Sequence, residues 1–136
     1  MITFINYKKI VLAFAFGMLF SNIFAQDEII SKVSSAFEKG DSKELSLSLN
    51  DQIEMTLLDN ENIFSRSQAA VLLKKFFDNN KPTSFKILHK GNRNGTNFAI
   101  GNYVSNNTEY RVYFLLKGEK ENKKIHLLRI ENKNEQ

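Results

Sequence analysis

Ile29, Val33 and Phe37 recur at steps of four with Ile30 beside them, a stripe that predicts a helix over Asp27 to Lys39, ended by Gly40. Asp41-Ser42-Lys43-Glu44 then offers an N-cap carboxylate and an N3 glutamate, the start of a short second helix through Leu45 and Leu49. Gln52 to Leu58 changes period, with Ile53, Met55 and Leu57 alternating against Glu54 and Thr56. It reads as a half-buried strand closed by the turn residues Asp59-Asn60-Glu61-Asn62. Ser65-Arg66-Ser67-Gln68 is a second capping box. Behind it Ala69, Leu72, Leu73, Phe76 and Phe77 fall on one helical face until Asp78-Asn79-Asn80-Lys81-Pro82 stops the run. Four stretches rich in aromatic and branched residues follow, Thr83 to Gly91, Thr96 to Ser105, Thr108 to Lys117 and Lys123 to Glu131, and they predict an antiparallel meander. The chain is therefore expected to be α+β, with three helices in its N-terminal half packed on an antiparallel sheet.

Asn94-Gly95 suits a two-residue hairpin, because both turn positions need positive φ. That turn sets Arg93 opposite Thr96, His89 opposite Ile100, Ile87 opposite Asn102 and Phe85 opposite Val104, and it puts these residues on one face. Two registers are open for the next hairpin. With a two-residue Asn106-Asn107 turn, Asn102 faces Arg111, and a similar count puts Arg129 opposite Arg111. His89, Asn102, Arg111 and Arg129 then line the helix-facing side as a polar pocket suited to a carboxylate or phosphate, since guanidinium groups pair bidentately with planar oxyanions. With a three-residue turn, Tyr110, Val112, Phe114 and Leu116 face inward and Arg111 turns to solvent. The second arrangement is favoured, because an unbroken apolar row is what a sheet packed on helices wants.

The N-terminus has a different character. Tyr7-Lys8-Lys9 precedes an apolar run from Ile10 to Phe20, and Ser21 to Ala25 ends in a small residue, the pattern of an export signal cut before Gln26. The run is shorter than the roughly 20 apolar residues a spanning helix needs, so no stable membrane span is expected after cleavage. Residues 26–136 are then expected to form a single domain. Removing Lys8 and Lys9 leaves 17 basic against 15 acidic residues, too even a balance to argue for nucleic acid. With no cysteine, the domain must rely on packing, and thiol nucleophiles, thiolate metal sites and disulfides are excluded.

Ala36-Phe37-Glu38-Lys39-Gly40-Asp41, then Leu45, then Ile53-Glu54-Met55, resembles the opening of the nuclear transport factor 2-like superfamily, as does the order helix, helix, strand, helix, meander. Within it, Tyr110 to Lys117 and Leu127 to Glu131 look similar to an exported bacterial family called domain of unknown function 4783. The resemblance covers about residues 27 to 131. It implies a cone in which a curved sheet wraps helices, a pocket inside that cone, and dimerisation through the sheet. It does not choose between enzymes and interaction modules.

No assembled catalytic set is visible. Glu54 and His89 are candidate bases, with Arg111 or Arg129 as anion holder, and Tyr103, Tyr110 and Tyr113 are available phenols. His89 and His126 lie 37 residues apart, with no clustered ligands for a metal, so neither metal nor cofactor is expected. Lys74, Lys75, Lys81 and Lys90 read as solvated charge, and the aromatics of the strands read as core. The sequence thus predicts an exported, noncatalytic module that binds a small ligand or a protein partner, possible partners including a second copy of itself. The alternative is a small isomerase-like or hydrolase-like enzyme acting on an anionic or apolar small molecule.

Overall fold

The computed structural model describes residues 21–135, with side chains from residue 28. The expected leader therefore lies outside the described residues, apart from the helical backbone of Ser21 to Ala25. Three helices, α1 (Ser21–Lys39), α2 (Ser42–Leu47) and α3 (Arg66–Asn79), pack on one side of a curved, unclosed six-stranded sheet. Its strands are β1 (Leu49–Leu57), β2 (Asn60–Ser65), β3 (Ser84–Arg93), β4 (Thr96–Ser105), β5 (Thr108–Lys117) and β6 (Lys124–Asn132), ordered β2-β1-β6-β5-β4-β3. No helix among the described residues is long and apolar enough to cross a membrane.

The local signals act as the sequence predicts. Gly40 sits at φ 64°, the Gly40 amide donates to Phe37 at 3.2 Å and the Asp41 amide to Ala36 at 2.9 Å, a Schellman stop for α1. The Asp41 carboxylate accepts from the Glu44 amide at 3.0 Å and starts α2. At α3, Ser65 Oγ accepts from the Gln68 amide at 3.2 Å while the Gln68 side chain accepts from the Ser65 amide at 3.0 Å, a complete capping box.

Three features differ from expectation. The Asp59 to Asn62 segment is not a terminating turn: only Leu58 and Asp59 turn, and the chain re-enters the sheet as β2. This strand lacks the alternation of a half-buried one because its first four residues are exposed at the sheet edge. The sheet is also mixed, since β1 runs parallel to β6, the pairing that joins the helical half to the meander. Third, a bulge in β3 between Ile87 and His89 breaks the register counted from the Asn94-Gly95 turn. Arg93 does face Thr96 and His89 does face Ile100, but Ile87 pairs with Gly101 and Phe85 with Tyr103.

That one extra residue decides which side of β4 is inside. Phe85 enters the core on the same side as Ala99 and Tyr103, and it is accommodated because Gly101 has no Cβ to meet its ring. Asn106-Asn107 makes the two-residue turn, yet the inner row of β5 is Tyr110, Val112, Phe114 and Leu116. Each of the two registers weighed from sequence thus holds half of the answer. The turn is the shorter one, and the apolar row is inside.

Candidate functional site

The interior of the cone is filled by side chains. Phe37 stacks on Phe85 with ring centroids 4.7 Å apart, and Phe76, Phe77, Tyr103 and Tyr110 complete an aromatic cluster between α3 and the sheet. The buried residues are apolar except for Ser48, Asn97 and Ser105. Two phenols reach into this cluster, and both are spent on one residue at the end of α3. Tyr103 Oη donates to the Asn80 backbone carbonyl and Tyr110 Oη donates to Asn80 Oδ1 at 2.8 Å. Asn80 in turn donates through its amide and its Nδ2 to the Phe76 carbonyl at 2.8 and 3.1 Å. Burial raises the pKa of both phenols, helped by their mutual proximity at Tyr103 and by Glu135 at Tyr110. They are neutral donors that close a helix end, a role no short motif announces because Asn80 lies 23 and 30 residues from them.

The expected pocket residues stand on the other side of the sheet. Arg111 and Arg129 are exposed on the outer face and line a shallow hollow of about 420 Å³ with Tyr113, Leu127 and Glu131. The facing pairs are Arg111 with Glu131 and Tyr113 with Arg129, so the two arginines are diagonal neighbours rather than opposite each other as counted. The connection after Lys117 shifts the register by one residue, and a bulge at His126, between the Leu116–Ile125 and Leu115–Leu127 pairs, shifts it by one more. Asn102 does face Arg111; its Nδ2 donates to Glu109 Oε1 at 3.4 Å, and its Oδ1 is buried without a partner. His89 is separate from these three. It lines a groove of about 630 Å³ between α1 and β3, over Ile30 and Ile87, with Ser31, Ser34, Ser35, Glu38, Leu88 and Lys90 around it.

The structure therefore brings Arg111 and Arg129 together, sets Asn102 beside Arg111, and places His89 in a different hollow. Tyr113 is one of the phenols named from the sequence; Leu127 and Glu131 are not, although period-2 counting from Arg129 reaches both. Glu54, the other candidate base, is exposed on β1, four strands from His89 and roughly 19 Å away at the usual strand spacing. Burial lowers the pKa of His126, with a smaller contribution from Lys117. Among the described residues no three of His, Asp or Glu converge as metal ligands do.

The outer face has an apolar band as well as these charges. Phe98, Leu115 and Leu127 stand side by side across β4, β5 and β6, and Glu54 on β1 separates this row from Ile63 on β2, which has 66% of its surface exposed. Ile100 and Tyr113 form the adjacent row, with Phe98 stacked on Tyr113 at 6.3 Å.

Residues 30–131 match a protein family described as domain of unknown function, DUF4783. Crystal structures of DUF4783 family proteins are similar to this chain. The one from Bacteroides ovatus is 30% identical with TM-score 0.69 over 74% of this chain and 92% of its own. That from Bacteroides uniformis is 28% identical with TM-score 0.70 over 75% and 94%. An NTF-2 like protein of unknown function from Silicibacter pomeroyi, 10% identical with TM-score 0.59 over 82% and 96%, shares the fold. No curated protein matches the sequence significantly.

Proposed function

This chain belongs to the DUF4783 family and has an NTF2-like fold, a scaffold that does not choose an activity, and we propose that it is an exported, noncatalytic interaction module working through the outer face of its sheet. The observation that carries this reading is the contrast between the two sides. Inside, the space where a cone-fold enzyme would hold substrate is occupied by Phe37, Phe76, Phe77, Phe85 and Tyr103, and both phenols are committed to Asn80. Outside, Phe98, Ile100, Tyr113, Leu115 and Leu127 form a half-buried apolar band bordered by Arg111, Arg129 and Glu131, with Glu54 standing between it and the exposed Ile63. Exposed apolar surface rimmed by polar groups is what a protein contact surface looks like.

The partner that fits best is a second copy of the chain. A two-fold axis through the band would bury apolar rows on each other and let the arginines of one copy meet the glutamates of the other. Export is supported by the basic approach, the short apolar run and the small residue at Ala25.

Sedimentation of the purified chain across a concentration series tests the face. A dimer that Leu115→Arg weakens at least about tenfold is expected, since a buried unpaired charge is costly. A strict monomer at high concentration would overturn the reading. Intact mass of the chain recovered from a bacterial host tests the leader; removal of residues 1–25 is expected, and retention of the full length overturns export by cleavage.

A further inference from the structure

The two edges of the sheet carry opposite charge. From Asn50 to Ser65 the chain has Asp51, Glu54, Asp59 and Glu61 and no lysine or arginine, and this segment forms most of β1 and the β2 edge. From Asn79 to Thr108 it has Lys81, Lys86, Lys90 and Arg93 and no acidic residue, and this segment forms β4 and the β3 edge. Strand order places these segments at opposite ends of one six-stranded sheet. Glu54, Asp59 and Glu61 are exposed at one end, as are Lys86, Lys90 and Arg93 at the other. Asp51 is engaged by Arg66 at 2.8 Å, and Glu38 lines the groove beside Lys90, so the sign of one edge rests on Glu54, Asp59 and Glu61 and that of the other on Lys86 and Arg93.

Sheet edges are commonly charged to prevent pairing with other chains. Like charges do this only between like edges. Here β2 repels another β2 and β3 repels another β3, whereas β2 and β3 of different copies attract. We propose that copies of this chain associate head-to-tail, the acidic β2 edge of one against the basic β3 edge of the next. Such a contact is heterologous, so it propagates as a row or closes into a ring instead of stopping at a dimer. Two features keep it weak and reversible: β2 offers only six residues, and the bulge at Leu88 interrupts the backbone of β3. Attraction between exposed charges dominates, and salt screens it.

This association is separate from the face contact proposed above, and its test distinguishes the two. Light scattering of the purified chain is followed with concentration in about 0.02 M and about 0.5 M salt, conditions that change the screening length several-fold. The average mass is expected to grow beyond a dimer at low salt and to fall back at high salt. Reversing one edge (Lys86→Glu with Arg93→Glu) or the other (Asp59→Lys with Glu61→Lys) is expected to weaken the low-salt association at least about tenfold. Mixing the two variants should restore it, because each then presents two edges that only the other can pair. Leu115→Arg should leave the salt-dependent growth in place. No growth of the wild-type chain at low salt, or edge variants that associate as it does and gain nothing on mixing, would overturn the proposal, whatever happens at the face.

Discussion

Alternate residues of β5 belong to two different environments. Tyr110, Val112, Phe114 and Leu116 are buried against the helices, while Glu109 and Arg111 are exposed on the outer face, followed along the strand by the half-buried Tyr113 and Leu115. The inner residues pack against the helices, and Tyr110 also holds Asn80 at the end of α3. The outer ones combine arginine, tyrosine and leucine in a way that core packing does not require. The individuality of this chain therefore lies on the side of the sheet away from its helices.

The contrast can be broken most forcefully at Phe114. Truncating it to alanine should cost about 3–5 kcal/mol in chemical denaturation, the usual range for a buried phenylalanine; a loss below about 1 kcal/mol would mean the inner row is not the core. Next in size is Tyr103→Phe, which removes the donor to the half-buried Asn80 carbonyl, at about 1–1.5 kcal/mol. The same contact has a pH signature. Burial holds the Tyr103 proton above the ordinary phenol value of 10.0, so the unfolded chain ionises first. Stability should be intact below pH 10 and fall as pH rises past it, by about 1 kcal/mol at pH 11. Tyr103→Phe should flatten that slope, and an unchanged slope would place the phenol elsewhere. The smallest effect is expected at Arg111→Ala, within about 0.5 kcal/mol because the side chain is exposed. A larger loss would show that the outer face contributes to folding as well as to contact.

Legibility from sequence followed the range of the interactions involved. The stop at Gly40, the caps at Asp41 and Ser65 and the Asn94-Gly95 turn depend on residues within a few positions of each other, and all were readable. The Leu88 bulge was not, because an extra residue in a strand leaves little trace; the adjacent apolar pair Ile87-Leu88, one inward and one 60% exposed, is all that betrays it. Missing it reversed the faces of β4 relative to Phe85 and Ile87, and that is why His89, Asn102, Arg111 and Arg129 were drawn toward the helices. β2 escaped because an exposed edge has no alternation to read. The tyrosine contacts on Asn80 join segments that meet only in the finished fold.

The parallel pairing of β1 with β6 has a consequence for how the chain is made. Ile53 and Met55 precede α3, but the strand that flanks them ends at Asn132, so a ribosome must release the chain through β6 before β1 can take its place in the sheet. Until then Ile53 and Met55 lack the neighbours that cover them in the finished sheet, which makes the joining of the helical half to the meander a late event of folding.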